Sequence, residues 1–323
     1  MRLVYLIMNP GARGGKSRKK FSRIFQLLDQ ANISYEFKTT NSIKDAYFYS
    51  VEANRKDYDI IVAVGGDGTI NAVLNGFYDT FGRRISNSRL AVIYTGTSPD
   101  FCKSYNIPTT LNQAVQVLIY GKSVKIDIGK ITLSGAKADA IENKGISYNW
   151  NGNIRYFGCC ANIGLGATLA RYANSGIRKY LGDFAGTFAS LIRILFTYKA
   201  NDYTVIVDGK KDKIKNLYNI SIGRTKYIAS GIKVHNTLKG GDGRFYCLVI
   251  QKLNLFKIPD LIRKVYIGNP FRNNDHISLF YCRTIEIYCN DQNPEVEFDG
   301  DPAGYLPCKI EMAENQLDLL VRE

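Results

Sequence analysis

Residues 65–69 read Gly-Gly-Asp-Gly-Thr, which are the residue types of a turn that binds an anion. An apolar, β-branched run at 60–64 precedes this turn and predicts a buried strand. The glycines permit a sharp turn and a close approach of a ligand to the backbone, and Thr69 can cap the helix that follows. Backbone N–H groups at a helix start attract phosphate, while Asp67 adds a carboxylate for a metal ion or a hydroxyl. We therefore predict a phosphate site here rather than an ordinary strand-to-helix turn.

Two further loops follow apolar runs in the same way. Loop 9–17 follows the run 3–8 and contains glycines and Lys16, which suit polyphosphate, although its spacing is not that of a P-loop. Loop 95–101 follows the run 90–94. The carboxyl ends of parallel strands meet at the edge where open α/β sheets bind ligands, so we expect these loops to lie together.

The motifs resemble those of the soluble lipid kinases of the diacylglycerol kinase and sphingosine kinase superfamily, especially the bacterial diacylglycerol kinases. Residues 65–69 match the Gly-Gly-Asp-Gly-Thr signature of that superfamily, which NAD kinases share. The other matching segments occur in the family's order and span nearly the whole chain: 9–16, 96–101, 124–130, 241–243 and 298–300. The chain departs from the pattern at Arg13, where glycine is usual, at Pro99, where asparagine is usual, and at Asp301, where the family has glutamate.

The resemblance implies an ATP-dependent kinase that uses Mg²⁺ and phosphorylates the hydroxyl of diacylglycerol or a related lipid alcohol. Asp301 takes the place of the general base, and Asp67 is the rival base. Asp299 and Asp127 would help to place metal or basic partners. The nucleotide site implied by the loops and the resemblance comprises Asn9, Gly14, Gly15, Lys16, Thr40, Gly65, Gly66, Asp67, Gly68, Thr69, Asn71, Thr97 and Asp100.

A structural Mg²⁺ site is also implied by the resemblance. Its ligands would be the carboxylate of Asp242 and the backbone carbonyls of Lys239 and Arg244, and oxygen ligands suit this ion. The alternative is a plain Gly-Asp-Gly turn. Gly241 makes that alternative credible, because the family usually has a second acidic residue there.

The distribution of apolar residues predicts two domains. Strands alternate with helices in residues 1–125, which indicates an α/β nucleotide-binding domain with a mostly parallel sheet and helices at 71–81 and Leu111–Tyr120. Residues 126–305 read as many strands and predict an all-β, sandwich-like lipid-substrate domain, in which 132–153 form an insertion with an extra hairpin. The resemblance implies that about 306–323 rejoin the first domain, in an NAD kinase/diacylglycerol kinase-like architecture.

Charge and cysteine usage indicate the partners and the compartment. The chain has 323 residues and a net charge of +14, which favours anionic partners. Basic and apolar residues mix in 171–199, which suits either a helix on an anionic membrane or a core-facing amphipathic helix. No nucleic-acid motif accompanies the charge. Seven scattered cysteines without a C-x-x-C pair favour reduced thiols, so we expect a cytoplasmic enzyme, peripheral at the inner membrane face; a homodimer is left open.

Two other functions remain as alternatives. An NAD kinase is supported by the shared motif at 65–69, but Asp127, Asp242 and the segment 299–301 match the lipid kinases in order. A non-catalytic nucleotide- or lipid-binding homologue is motivated by the departures from the family pattern, chiefly Asp301.

Overall fold

The computed structural model forms two compact units. The first comprises Met1–Ile128, Ala138–Gly158 and Ala313–Glu323, and the second Gly129–Lys137 and Cys159–Met312. The sequence-based division at 125/126 lies three residues before the boundary at Ile128, the division near 306 lies about seven residues before Ala313, and 138–158 group with the first unit. The structure describes residues 3–79, 81–134, 141–143, 146–148, 153–172, 198–228, 232–251, 276–289, 294–299 and 301–323.

The described elements are mostly strands. They are β1 Val4–Met8, β2 Tyr35–Thr39, β3 Ile60–Gly65, β4 Arg89–Tyr94, β5 Lys122–Ile126, β6 Gly129–Leu133, β7 Ile141–Asn143, β8 Ile146–Tyr148, β9 Ile154–Phe157, β10 Cys160–Gly164, β11 Asn201–Val207, β12 Lys210–Gly223, β13 Tyr227–Ile228, β14 Ile232–Lys233, β15 Phe245–Gln251, β16 Ile277–Cys282, β17 Ile285–Cys289, β18 Glu295–Phe298, β19 Asp301–Tyr305, β20 Cys308–Met312 and β21 Leu317–Val321. The helices are α1 Phe21–Gln30, α2 Ile43–Arg55, α3 Asp67–Asn75, α4 Asp100–Ser104, α5 Leu111–Tyr120 and α6 Leu165–Tyr172, with a 3₁₀ helix at Lys16–Lys20.

The first unit is built on a six-stranded sheet in the order β2-β1-β3-β4-β21-β5. Its strands pair in parallel, except that β5 runs antiparallel to β21. Every residue of β1 and β3 is buried, as expected for apolar parallel strands covered on both faces. Strand β21 comes from the C-terminal segment, so the end of the chain completes the first sheet.

The second unit is built on antiparallel strands. Its main sheet runs β19-β18-β10-β12-β11-β17-β20-β6, and β15 and β16 branch from β12. Helix α6 lies against β10 and β18. The predicted fold class, a mostly parallel α/β unit followed by an all-β unit, is therefore confirmed. None of the helices in the described parts of the chain has the length and apolar character needed to cross a membrane.

Several local predictions can be compared with the structure. Helix α5 has the predicted bounds, but the helix predicted at 71–81 spans Asp67–Asn75. Thr69 therefore lies inside α3 and does not cap it; Gly66 is at the N-cap. In the predicted insertion, Ile141 pairs with Tyr148 in an antiparallel strand pair. Most of the basic, apolar segment 171–199 lies outside the described residues.

Candidate active site

The three predicted ligand loops leave one edge of the first sheet. Strands β1, β3 and β4 are neighbours, with Met8 beside Val64 and Gly65 beside Tyr94. Each strand ends at the same level, so the loops after β1, β3 and β4 begin side by side. The expectation that they share an edge is confirmed.

A side-chain amide joins the first loop to the second. Asn9 donates from Nδ2 to Oγ1 of Thr69 over 2.9 Å, and its Oδ1 accepts from the N–H of Gly11, also over 2.9 Å. The backbone N–H of Asn9 donates to the carbonyl of Val64. Asn9 thus fixes both the start of the first loop and its distance from α3.

A buried pair of hydroxyls joins the first loop to the third. Ser17 Oγ and Thr95 Oγ1 lie 2.7 Å apart, and both residues are fully buried. The N–H of Thr95 donates to the carbonyl of Gly65. Our sequence analysis did not single out either hydroxyl. The only signal was a serine directly after Lys16 and a threonine directly after a buried strand.

The second and third loops pack backbone against backbone. A Cβ placed on Gly96 would lie 2.5 Å from Cα of Gly66, and one on Gly65 would lie 2.3 Å from Thr69 Oγ1. Neither position has room for a side chain. These glycines therefore serve the close packing of the loops, in addition to leaving backbone accessible to a ligand.

The first loop presents an open, basic surface. Arg13, Gly14 and Gly15 have φ values of 54°, 62° and 85°, and a Cβ on Gly14 or Gly15 would meet nothing within 4 Å. The left-handed φ of Arg13 explains why glycine suits this position, since a side chain there carries strain. Lys16 is exposed at the start of the 3₁₀ helix. Such a surface can attract a polyanion.

Two predicted carboxylates, those of Asp67 and Asp100, lie around Tyr94. Burial raises the pKa of Tyr94, and the charges of Asp67, Cys102 and Asp100 raise it further. Burial and the charge of Asp67 also raise the pKa of Cys102. Asp67 is in the first turn of α3, and buried Asp100 is the first residue of α4. Pro99, at the N-cap of α4, has φ −81°, a value that proline adopts readily, so this departure from the family pattern fits the backbone.

The remaining predicted nucleotide residues differ in their surroundings. Thr40 is buried after β2, and its N–H donates to the carbonyl of Met8. Thr97 is exposed in the third loop. Asn71 is buried, and its Nδ2 donates to the carbonyl of Tyr156 over 3.0 Å. Asn71 thus fastens α3 to β9, a role that the sequence did not suggest.

The predicted catalytic aspartates outside the loops make structural contacts. Asp127 Oδ1 accepts from Gln316 Nε2 over 2.7 Å. In the second unit, Asp299 has φ 51°, and its Oδ1 accepts from the N–H groups of Cys159 and Cys160 over 2.9 and 3.2 Å. Asp299 therefore holds the turn before β19. Asp301 begins β19, and its side chain lies outside the described part of the structure.

The oxygens predicted to bind a structural Mg²⁺ face an arginine instead. The carboxylate of Asp242 and the carbonyls of Lys239 and Arg244 all accept hydrogen bonds from the Arg224 guanidinium. This donor set does not fit a metal ion while the guanidinium bonds all three groups. Among the described residues, no group of three or more His, Cys, Asp or Glu could hold a metal ion.

Comparison with protein families covers both units. Residues 3–131 match the diacylglycerol kinase catalytic domain, and residues 160–321 match the YegS C-terminal NAD kinase beta sandwich-like domain. The chain belongs to the diacylglycerol kinase family. The predicted family is thus confirmed, and membership makes the chain a kinase.

Relatives within this family align over nearly the full length. A diacylglycerol kinase of Staphylococcus aureus (strain bovine RF122 / ET3-1) is 26% identical over 318 residues, which is 97% of this chain and 90% of that protein. One from Staphylococcus carnosus (strain TM300) is 26% identical, covering 94% of this chain and 90% of its own. A crystal structure of a diacylglycerol kinase from Bacillus anthracis str. Sterne has a TM-score of 0.67 at 19% identity, covering 99% of this chain and 97% of its own. That likeness supports the fold.

Proposed function

We propose that this kinase transfers the γ-phosphoryl group of ATP to the hydroxyl of diacylglycerol or a related lipid alcohol. The observation that carries the proposal is the joining of three loops at one sheet edge, through Asn9–Thr69, Ser17–Thr95 and Gly66–Gly96. A triphosphate needs several groups that are fixed before it binds, because phosphoryl transfer depends chiefly on positioning and electrostatics.

The first unit would hold the nucleotide. The open backbone at Gly14 and Gly15 and the charge of Lys16 suit the phosphate oxygens. The N-terminus of α3 adds its dipole to the same attraction. Asp67 and Asp100 are the carboxylates that would hold the Mg²⁺ accompanying ATP, and that ion would neutralise the charge of the transferring group.

The proton of the lipid hydroxyl needs an acceptor. We assign this role to Asp301, with Asp67 as the alternative. Asp299 would act by holding the turn that leads to Asp301, through its bonds to the N–H groups of Cys159 and Cys160. A shorter aspartate in place of glutamate demands a close approach of the substrate hydroxyl, so positioning of this turn matters for the rate.

The test is an assay of the intact chain with labelled ATP and Mg²⁺. A panel of diacylglycerol, other lipid alcohols and NAD would be offered, and the products would be separated by thin-layer chromatography. Labelled phospholipid is the expected product. Labelled NADP in its place would establish the NAD kinase alternative. ATP binding without any labelled product across the panel would favour the non-catalytic homologue.

We also propose that the enzyme docks reversibly on anionic membranes. Within the described structure, Lys211, Lys213 and Lys215 are exposed on alternate positions of β12 and so share one face. Lysines near an anionic surface contribute about 1 kcal/mol each at low salt. The orientation of this face toward a substrate-bearing bilayer would explain how a kinase reaches a lipid hydroxyl.

Vesicle sedimentation tests the docking surface. Removal of charge by Lys211→Gln and Lys213→Gln should weaken binding to phosphatidylglycerol vesicles by about fivefold for each lysine. The control is Lys122→Gln with Lys125→Gln, which removes the same charge from exposed positions of β5. Binding that is indifferent to salt and anionic lipid, or equal weakening by both pairs, would contradict the docking surface.

A further inference from the structure

A guanidinium lies inside the turn 239–244 of the second unit. Arg224 donates from Nη1 to Asp242 Oδ1 over 2.9 Å and to the carbonyl of Arg244, and from Nη2 to the carbonyl of Lys239 over 2.7 Å. The N–H groups of Lys239 and Arg244 each donate to the Asp242 carboxylate over 3.2 Å. The backbone of the turn therefore bonds one carboxylate, that of Asp242, and one cation, that of Arg224.

The guanidinium supplies positive charge and hydrogen bonds to the three oxygens, as a bound cation would supply charge and coordination. Its planar fork carries several N–H donors in fixed directions, and here two of its nitrogens reach one carboxylate and two carbonyls. The side chains of Arg224 and Asp242 are 10% and 18% exposed. A pair so shielded from water interacts more strongly than an exposed pair.

The local charge disfavours an additional divalent cation. Arg244 Nη2 lies 3.4 Å from Asp242 Oδ2, so two guanidinium groups approach a single carboxylate. Burial acts to raise the pKa of Asp242, but hydrogen bonds from Arg224 and from the N–H groups of Arg244 and Lys239 outweigh it and lower the pKa. Mg²⁺ would need octahedral oxygen ligands at about 2.1 Å, at positions that Arg224 already bonds.

We propose that Arg224 is a built-in cation that replaces a structural divalent ion in this chain. The turn 239–244 is held by the guanidinium and Asp242, so the second unit folds and stays folded without Mg²⁺. The requirement for a divalent ion is then confined to the nucleotide chemistry.

The backbone of Arg224 is linked to Asp299 through Cys159. The N–H of Arg224 donates to the carbonyl of Cys159 over 3.2 Å, and the N–H of Cys159 donates to Asp299 Oδ1. All these groups belong to the second unit. This connection runs through the backbone N–H of Arg224, whereas the guanidinium bonds only the turn 239–244.

The first experiment measures the thermal midpoint of the intact, nucleotide-free chain. Unfolding would be followed in EDTA and in millimolar MgCl₂, with KCl matched to the same ionic strength. We expect equal midpoints in MgCl₂ and KCl. A saturable stabilisation by Mg²⁺ that is lost in Asp242→Asn would overturn the proposal, because it would place a divalent ion at this carboxylate.

The second experiment removes the guanidinium. Arg224→Ala leaves a partly buried carboxylate without its main partner and should lower the midpoint by roughly 5–10 °C. Arg224→Lys keeps the charge but lacks the fork, and should lose part of that stability. The matched control is Arg83→Ala, since Arg83 pairs with Asp79 on the surface with 65% of its side chain exposed. That variant should melt close to the parent.

The variants also have outcomes that contradict the proposal. If the thermal midpoints of Arg224→Ala and Arg83→Ala both equal that of the parent, the guanidinium does not stabilise the fold. If Arg224→Ala fails to fold, the Arg224→Lys variant and the MgCl₂ titration of the parent still decide the matter. None of these readouts depends on lipid phosphorylation, so failure of the proposed function and failure of this inference are distinguishable.

Discussion

Two polar regions of the molecule differ in whether their charged groups are bonded within the chain. The first loop of the nucleotide unit is open: Lys16 is exposed, and Gly14 and Gly15 have no heavy atom close to where a side chain would begin. The turn 239–244 is closed, because Asp242 is bonded by Arg224 and by two backbone N–H groups. One region keeps its charge for an external anion, whereas the other satisfies its charge internally.

This difference distinguishes groups that bind a ligand from groups that stabilise the fold. Groups that must receive a ligand cannot be satisfied within the chain, and their cost is offset when the ligand binds. Groups that hold a turn gain from being satisfied permanently, since an unpaired buried charge destabilises the fold. Variants in the open region should therefore change nucleotide affinity, and variants in the closed region should change stability.

The largest expected effect concerns Asp301, which belongs to the same unit as the closed region but is assigned a catalytic role. Asp301→Asn should keep the fold and ATP binding while reducing lipid turnover by about 10²–10⁴-fold, the usual loss for a general base. Asp301→Glu restores the family's side chain and should stay active. Calorimetry of ATP binding and the labelled assay together check this split. Equal turnover by Asp301→Asn would move the role of base to Asp67.

For Lys16 we expect a loss of ATP affinity and not of turnover by bound substrate. Lys16→Ala removes a charge-assisted bond to phosphate oxygens and should weaken ATP binding by roughly 10–100-fold, with little change in thermal midpoint because the side chain is exposed. Lys19→Ala is the control, as it removes the same charge from an exposed position of the same 3₁₀ helix. Equal losses in both variants would indicate general charge attraction rather than a contact at Lys16.

A Ser17 variant tests how much the buried hydrogen bond between Ser17 and Thr95 holds the open region in place. Ser17→Ala leaves the buried hydroxyl of Thr95 without its partner, which costs about 1–3 kcal/mol and should lower the midpoint by roughly 3–8 °C. The KM for ATP should rise as the first and third loops separate. Ser123→Ala, at an exposed position of β5, is the control. An unchanged midpoint and KM would show that the loops are held by their backbones alone.

The second loop of the first unit was largely predictable from sequence, and the closed region was not. A buried β-branched run followed by glycines at 65–68 determines a strand, a turn and a helix start through local physics alone. The partners of Asn9 and Ser17 depend on which strands are neighbours and on their register, which the sequence pattern does not specify. Arg224 was harder still, because it is one of 43 basic residues and nothing in its sequence neighbourhood marks it as the partner of Asp242.

The bounds of α3, the helix after the turn, were also mispredicted. The apolar residues after Asn71 suggested a helix at 71–81, yet α3 begins at Asp67. Glycine has low helix propensity, which hid the first turn of α3.

The smallest expected effect is a pH dependence of the closed region. Because the pKa of Asp242 is lowered in the folded state, its bonds stabilise the fold at pH values above the unfolded pKa, near 3.9 for an aspartate. That contribution is lost as the pH falls through the lowered folded-state pKa. Thermal melts of the parent and Asp242→Asn should therefore differ at neutral pH and converge in acid. Arg83→Ala should track the parent at every pH. A difference between the parent and Asp242→Asn that persists undiminished below this range would mean that the carboxylate acts by its shape rather than by its charge, and the turn would then not depend on an ion pair with Arg224.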